Sequence, residues 1–239
     1  MEISEFRLTN VPGELYYVPN FISEEEEKFI LDKVYAAPKP KWVQLLNRRL
    51  QHWGGSPSKN GMIVEPIPSW LQNFMDRINK LYIFEDKNVQ TNHVLINEYL
   101  PGQGIMPHED GPMFYPTIAT INCGSSTVLR FEKKSSEANE DDSLSLPKTA
   151  QVFLERRSLV IVKGHLYTNY LHSIEERNSD TIDSTFYGSN KKALVFQISF
   201  GCILDPPEKV VLCKIEAILV DKSAKNDSLQ LSRDEKNSN

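Results

Sequence analysis

Hydrophobic and polar positions follow two different periods along this chain. Ser23 precedes a run of four glutamates, and apolar Phe29 and Ile30 continue at helical spacing, so the pattern predicts a capped helix near the start. The segment from Trp70 to Ile78 carries apolar side chains at the same spacing, which predicts a second helix packed on a core. From Thr91 onward the period shortens to that of β-strands.

Short β-branched segments separated by polar connections make up much of the remaining sequence. Because no regular strand-helix-strand alternation occurs, the pattern favours two antiparallel sheets arranged as a jelly roll. We therefore predict a mainly β (α+β) fold in which the N-terminal helices pack on one sheet. The predicted strands are 15–18, 92–99, 117–122, 126–132, 151–155, 158–163, 167–174 and 193–204.

The chain divides into three regions by composition. Residues 1–90 form an N-terminal extension with helices and a basic, aromatic segment, residues 91–205 form the strand-rich core, and residues 206–239 form a divergent C-terminus with a polar tail. Residues 133–148 are polar and partly acidic, which predicts a surface loop within the core. A chain of 239 residues, 40% hydrophobic and 25% charged, fits one sizeable core.

The start of the chain and its cysteines indicate the cellular compartment. Charged residues interrupt the first twenty positions, so no secretory signal is expected, and no apolar run reaches membrane-spanning length. Cys123, Cys202 and Cys213 are odd in number and lack CxxC spacing, which argues against a disulfide framework or a structural zinc site. We expect a monomer in the cytoplasm and nucleus with no membrane partner.

A net charge of −5 counts against a nucleic-acid partner, but the charge is unevenly distributed. No acid lies between Asp32 and Glu65, where six Lys and Arg residues alternate with aromatic side chains. Such a segment suits a single-stranded nucleic acid or tRNA-like RNA, which needs phosphate attraction and base stacking. It is equally consistent with a solvated basic face over core tryptophans. The predicted substrate contacts are Arg48, Arg49, Gln51 and Trp53.

An imidazole and a carboxylate stand two positions apart at His108 and Asp110. Side chains at i and i+2 of an extended segment share a face, so both can reach one metal ion. Two histidines and one carboxylate with open positions are typical of non-haem Fe(II) oxygenases, and spacing leaves His165 and His172 as alternatives for the third ligand. The competing interpretation is a histidine beside a loop carboxylate without a metal. A metal hydrolase is disfavoured, because neither GxSxG nor HExxH occurs.

Several motifs, taken together, resemble the AlkB group of Fe(II)- and 2-oxoglutarate-dependent dioxygenases. They occur in the order of that group on a strand-rich chain, and four further blocks are similar to the subgroup of AlkB homologue 6. The resemblance extends from about residue 15 to residue 174. The motifs are Asn97-x-Tyr99, His108-x-Asp110 and Leu171-His172-x-Ile174, and the blocks are 17–22, 37–42, 48–55 and 104–112.

The resemblance implies a double-stranded β-helix in which His108, Asp110 and His172 hold Fe(II) and form the catalytic centre. It also implies that Asn97 and Tyr99 contact 2-oxoglutarate, which is split with dioxygen to succinate and carbon dioxide. The carbon that the AlkB group oxidises is typically an N-methyl on a nucleobase. We therefore expect an oxygenase that acts on an N-methyl or similar C–H bond of a nucleic acid or another methylated substrate.

The resemblance breaks down near the C-terminus. The family carries Arg-x-Ser-x-Thr-x-Arg there, whereas the corresponding segment of this chain has no arginine and offers Gln197 and Ser199 as co-substrate contacts. Losing a charge-assisted hydrogen bond weakens co-substrate binding about tenfold to a hundredfold. Either Lys163, Lys191 or Lys192 supplies the charge, or the chain is a catalytically weak or inactive relative that binds nucleic acid. A third alternative is a C-terminus derived from a different exon or an imperfect gene model.

Overall fold

The structure, a computed structural model, describes residues 2–9, 11–58, 61–86, 89–112, 114–134, 147–180 and 212–220. Within these ranges the fold is mainly β with few helices, which confirms the predicted class. The helices are α1 Glu24–Tyr35, α2 Ser69–Asn79 and α3 His165–Thr168, with 3-10 turns at Ile3–Phe6 and Lys39–Lys41. The strands are β1 Glu14–Val18, β2 Val43–Gln44, β3 Arg49–Trp53, β4 Gly55–Ser58, β5 Gly61–Val64, β6 His93–Tyr99, β7 Ile105–His108, β8 Phe114–Cys123, β9 Thr127–Lys133, β10 Thr149–Leu154, β11 Leu159–Lys163, β12 Tyr170–Ile174 and β13 Leu212–Val220.

The two longer helices form where the sequence predicts them. Ser23 Oγ accepts a hydrogen bond from the Glu26 amide, and the Glu26 carboxylate accepts one from the Ser23 amide, so a complete capping box begins α1. The apolar positions of α2 form one buried face. Both helices pack on one face of the largest sheet, against side chains such as Val94, Ile121 and Ile161. None of the helices in the described ranges has the length and apolar character needed to cross a membrane.

Two antiparallel sheets enclose the other part of the core. The larger has seven strands in the order β1-β11-β8-β13-β6-β3-β2, and the smaller has four in the order β10-β9-β12-β7. Side chains of both sheets meet between them, where Val160 and Val162 of β11 pack with Leu129 and Phe131 of β9. Among the described strands neither sheet closes on itself, so the arrangement is the predicted jelly roll. A separate hairpin pairs β4 with β5.

Strands from outside the predicted core complete the larger sheet. β1 pairs with β11 and β3 pairs with β6, so the region 1–90 contributes to the sheet itself. β13 lies between β6 and β8 and comes from the region 206–239. The predicted strand 193–204 and most of the predicted loop 133–148 lie outside the described residues. The jelly roll therefore takes strands from all three predicted regions.

The predicted strand 167–174 begins later than expected. Gly164 adopts a φ of 60°, a conformation that L side chains rarely take, and the short helix α3 follows it. β12 then starts at Tyr170 and pairs with β7 on one side and β9 on the other. This turn packs α3 against β1, β8 and β11, close to the start of β12.

Candidate metal centre

The register between β7 and β12 places two histidines side by side. His108, the last residue of β7, is the partner of His172 in β12, and the ring centroids lie 4.2 Å apart. Directly opposed residues of an antiparallel pair project on the same face of a sheet. Strand pairing therefore brings together two imidazoles that are far apart in the sequence.

Asp110 completes this group. One ligand atom from each of His108, Asp110 and His172 lies within 4.8 Å of the others, and Asp110 Oδ1 is 3.9 Å from His172 Nε2. The predicted ligand set thus converges in space. His165, the alternative third ligand, is exposed on α3 and does not belong to the group.

The chemistry of these side chains fits a divalent cation. His108 Nδ1 lies 2.8 Å from the Met106 carbonyl, which can only accept, so a neutral ring carries its hydrogen on Nδ1 and presents the Nε2 lone pair. Asp110 Oδ2 is buried and has no hydrogen-bond partner among the described residues. A buried carboxylate oxygen in this state needs a cation or a hydrogen-bond donor. Two imidazoles and one carboxylate match the ligand set of non-haem Fe(II) oxygenases.

Lys134 links the loop that follows β7 to α3. Its ammonium group donates to the Glu109 carboxylate and, over 2.6 Å, to the Thr168 carbonyl. Tyr167 then lies against Asp110, and together with His172 it lines a cavity of about 10 Å³ between the sheets. No pattern in the sequence marks Tyr167, because its spacing resembles that of any half-buried aromatic residue.

Asn97 and Tyr99, the predicted co-substrate contacts, lie in β6 and are almost fully buried. Arg48 lies just before β3 and donates from Nε to Asn97 Oδ1 over 3.1 Å. Burial raises the pKa of the Tyr99 hydroxyl to about 12, while the Arg48 charge acts in the opposite direction. Both residues are therefore adjacent to a guanidinium group that the sequence pattern assigned to the substrate.

Lys163, one of the lysines considered as replacements for the family arginines, does not lie beside Asn97 and Tyr99. Lys163 donates to the Ile83 carbonyl over 3.2 Å and lies 3.8 Å from the Glu14 carboxylate. Ile83 belongs to the core beneath the helices, so Lys163 faces away from the space between the sheets. The remaining candidates, Lys191, Lys192, Gln197 and Ser199, lie outside the described residues.

Arg49 is held by an acid and an aromatic ring. It forms an ion pair with Glu98, which is only 3% exposed, and the Tyr35 hydroxyl donates to the same carboxylate over 2.8 Å. The Arg49 guanidinium also lies 4.1 Å from the Trp42 ring centroid, within cation–π range. This arrangement gives Arg49 a structural role in addition to the predicted substrate contact.

Trp53 is fixed from two sides. Its indole N–H donates to Gln51 Oε1 over 3.0 Å, and the Lys41 ammonium lies 4.4 Å from its ring centroid while pairing with Glu65 at 2.5 Å. Gln51 is fully buried and donates to the Val34 carbonyl over 2.9 Å. Gln51 therefore connects β3 to α1, whereas Trp53 remains half-buried.

A second pair of histidines lies where β3 and β6 meet. The rings of His52 and His93 have centroids 5.8 Å apart, and His93 Nε2 lies 3.2 Å from the Gly55 carbonyl. Burial lowers the pKa of both imidazoles, that of His93 to about 4. Neither residue belongs to the group around His108, so we assign this pair to the neutral interior of the sheet.

Sequence comparisons with known proteins indicate one family, and a structural comparison indicates the same fold. The family model described as "2OG-Fe(II) oxygenase superfamily" matches residues 27–197. "Probable RNA/DNA demethylase ALKBH6" of Danio rerio is 44% identical over 180 residues, covering 73% of this chain and 74% of that protein. "tRNA (carboxymethyluridine(34)-5-O)-methyltransferase ALKBH8" of Macaca fascicularis is 28% identical over 196 residues, covering 76% of this chain and 27% of that protein. The crystal structure of a 2OG-Fe(II) oxygenase family oxidoreductase from Burkholderia pseudomallei shares the fold with a TM-score of 0.52 at 8% identity, over 85% of this chain and 84% of that chain.

Proposed function

This chain belongs to the 2OG-Fe(II) oxygenase superfamily, and we propose that its His108, Asp110 and His172 site oxidises an N-methyl or similar C–H bond of a nucleic acid or another methylated substrate. It is a 2-oxoglutarate-dependent oxygenase, and the superfamily uses Fe(II), 2-oxoglutarate and dioxygen. When bound, iron and co-substrate supply the activation of dioxygen that C–H oxidation requires. The observation that carries the proposal is the convergence of two imidazoles and one carboxylate within 4.8 Å.

The chain's own residues prepare the metal ligands. The Met106 carbonyl holds His108 in the tautomer that a ligand needs, and the pairing of β7 with β12 fixes the position of His172. Only Asp110 comes from a loop, and its Oδ1 faces His172. The proposed ligands are therefore two histidines on paired strands and one aspartate on a loop.

For the co-substrate, we propose that Arg48 provides the positive charge that the family arginines would otherwise provide. Its guanidinium already contacts Asn97 and lies near Tyr99, so a carboxylate of 2-oxoglutarate can bind between guanidinium, amide and phenol. Gln197 and Ser199 stay proposed contacts on the basis of the sequence.

The names of two relatives support a nucleic-acid substrate, because one is called a "Probable RNA/DNA demethylase" and the other a tRNA methyltransferase. On this chain the stacked pairs of Arg49 with Trp42 and Lys41 with Trp53 support contact with single-stranded nucleic acid or tRNA-like RNA. Cations beside aromatic faces suit phosphate attraction combined with base stacking. We therefore propose this surface, on the helix-covered face of the larger sheet, as a contact for the nucleic acid outside the metal site.

A turnover assay tests the proposed function. We expect succinate to form from 2-oxoglutarate in the presence of Fe(II) and a methylated oligonucleotide. His108→Ala and Asp110→Ala should abolish succinate formation, whereas His165→Ala, at an exposed position outside the group, should retain it. Formaldehyde release with methylated oligonucleotides but not with methylated peptides identifies the substrate as nucleic acid. The reverse pattern would refute this substrate class.

The second candidate function is a catalytically weak or inactive relative that serves as a nucleic-acid-binding module. The absence of arginine from residues 197–203 favours it, because co-substrate affinity depends on such charges. Metal retention and oligonucleotide binding without decarboxylation of 2-oxoglutarate would support the binding module. Decarboxylation that stops on His108→Ala would support the enzyme.

We also propose that the protein is a monomer of the cytoplasm and nucleus without a membrane partner. The odd cysteine count and the lack of CxxC spacing support a reducing compartment. Light scattering on the full chain and imaging of a tagged chain in cells test the two parts of this proposal separately.

A further inference from the structure

Two buried oxygen atoms near the metal ligands have no hydrogen-bond partner in the part of the chain that the structure describes. One is Asp110 Oδ2, and the other is the Tyr167 hydroxyl oxygen on α3. A buried polar atom without a partner is costly, and native proteins retain few of them. Because these two atoms lie close together, the simplest explanation for leaving both unpaired is that they act together at the metal site.

The fold holds these two groups together. The Lys134 ammonium donates to Glu109, the residue before Asp110, and to the carbonyl of Thr168, the residue after Tyr167. The Lys134 amide also donates to the Asn169 carbonyl over 3.0 Å. The loop that carries Asp110 and the helix that carries Tyr167 are thus joined through one lysine.

The phenol is suited to donate. A tyrosine hydroxyl keeps its hydrogen at neutral pH and can donate it to a carboxylate. The two carboxylate oxygens of Asp110 are also in different environments. Oδ1 lies 3.9 Å from His172 Nε2, whereas Oδ2 is the atom that lacks a partner among the described residues.

We propose that Tyr167 is a positioning residue, whose hydroxyl donates to Asp110 Oδ2 once Oδ1 binds the metal. The inference rests on the metal site of the proposed function. A ligand carboxylate that binds a metal through one oxygen is commonly oriented by a donor to the other oxygen, and loss of that donor weakens metal binding. Tyr167 acts through Asp110 and does not itself bind the metal.

Tyr167→Phe tests this role, with Co(II) as the probe in a titration of the metal-free protein. We expect Co(II) affinity to fall about tenfold to a hundredfold, the usual effect of removing such a partner. The melting temperature of the metal-free protein should stay unchanged or rise, because the variant removes a buried hydroxyl that has no partner in the described ranges. If Tyr167 had only a structural role, Tyr167→Phe would leave Co(II) affinity unchanged and lower the melting temperature.

Tyr170→Phe is the matched control, because the Tyr170 hydroxyl, at the start of β12, donates to the Pro147 carbonyl over 3.0 Å. It should lower the melting temperature and leave Co(II) affinity at the wild-type value. Lys134→Met, which releases the link to α3, should weaken Co(II) binding less than Tyr167→Phe does. Wild-type Co(II) affinity in Tyr167→Phe, or a melting temperature lowered as in Tyr170→Phe, would overturn the proposal. The metal titration measures binding without turnover. Its result can therefore be interpreted even if the oxygenase assay fails.

Discussion

His108 and His172 are partners across β7 and β12, and their ring centroids lie 4.2 Å apart. The backbone pairing places the two residues directly opposite each other, so both imidazoles project from the same face of the sheet. Asp110 approaches from a loop and depends on side-chain contacts for its orientation. The proposed site therefore combines two histidines on paired strands with one aspartate on a loop.

The choice between His172 and His165 as third ligand has a direct consequence for metal binding. His172→Ala should weaken Co(II) binding by about a hundredfold or more, since losing a ligand costs more than losing its supporting partner. His165→Ala is the control, because His165 is exposed on α3. Equal losses of affinity in the two variants, measured by titration, would contradict the assignment of His172.

The features predicted from sequence are those that depend on local spacing. The capping box of Ser23 and Glu26 and the shared face of His108 and Asp110 follow from residues three and two positions apart. The contact of Arg48 with Asn97 depends instead on the pairing of β3 with β6, which no local pattern specifies. Because this pairing has no local signal, the run of basic and aromatic residues led us to predict only a substrate contact for Arg48.

Long-range packing also explains what the sequence could not show near α3. Tyr167 reaches Asp110 because Gly164 turns the chain and Lys134 ties α3 to the loop after β7. Neither contact has a periodic signal. β13 was likewise unpredicted in the sheet, since 193–204 has the stronger strand pattern and 212–220 is placed by pairing with β6 and β8.

Arg48 should determine the affinity for 2-oxoglutarate. Arg48→Gln removes the guanidinium beside Asn97, so we expect binding of 2-oxoglutarate to the Fe(II) protein to weaken about tenfold to a hundredfold. An anaerobic titration that follows the absorption of the complex measures this directly. Arg48→Lys should recover only part of the affinity, because lysine keeps the charge but loses the planar fork.

Lys163→Gln is the control for this experiment, because Lys163 contacts Glu14 and the Ile83 carbonyl on the other face of the sheet. It should bind 2-oxoglutarate as the wild type does. If Lys163→Gln weakened binding while Arg48→Gln did not, the co-substrate charge would come from elsewhere.

Replacing Arg49 should lower the stability of the fold, apart from any effect on substrate binding. Arg49→Met deprives the Glu98 carboxylate, which is 3% exposed, of its ion-pair partner, so the free energy of unfolding should fall by about 1–3 kcal/mol. Urea unfolding measures the change. The double variant Arg49→Met with Glu98→Gln should recover part of it, and full additivity of the two changes would argue against a coupled pair.

Nucleic-acid binding should respond to Arg48 and Arg49 in unequal amounts. Changing both to glutamine should weaken binding of a single-stranded oligonucleotide and lower the slope of log affinity against log salt by about 0.7 for each phosphate that is no longer neutralised. Arg49 already pairs with Glu98, so its share should be the smaller. Lys28→Gln on α1, where Lys28 pairs with Asp32, is the control. A salt series with unchanged affinity in the double variant would remove nucleic acid as a ligand of this segment.

The buried histidine pair predicts how stability depends on pH. The pKa of His93 is about 4 in the folded protein, below its ordinary 6.5, because burial disfavours the charged ring. Above pH 6.5 the ring is neutral in both states, so the folded protein has its full stability. As the pH falls from 6.5 towards 4, only the unfolded chain takes up the proton, and up to about 3 kcal/mol of unfolding free energy is lost.

His93→Phe removes this titration, so its unfolding free energy should change less than that of the wild type between pH 6.5 and 4. Some dependence should remain, because burial lowers the pKa of His52 in the same direction. His165→Gln, which alters an exposed imidazole, should follow the wild-type curve. Urea unfolding across this pH range compares the three proteins, and a wild-type slope in His93→Phe would show that His93 is not the group responsible.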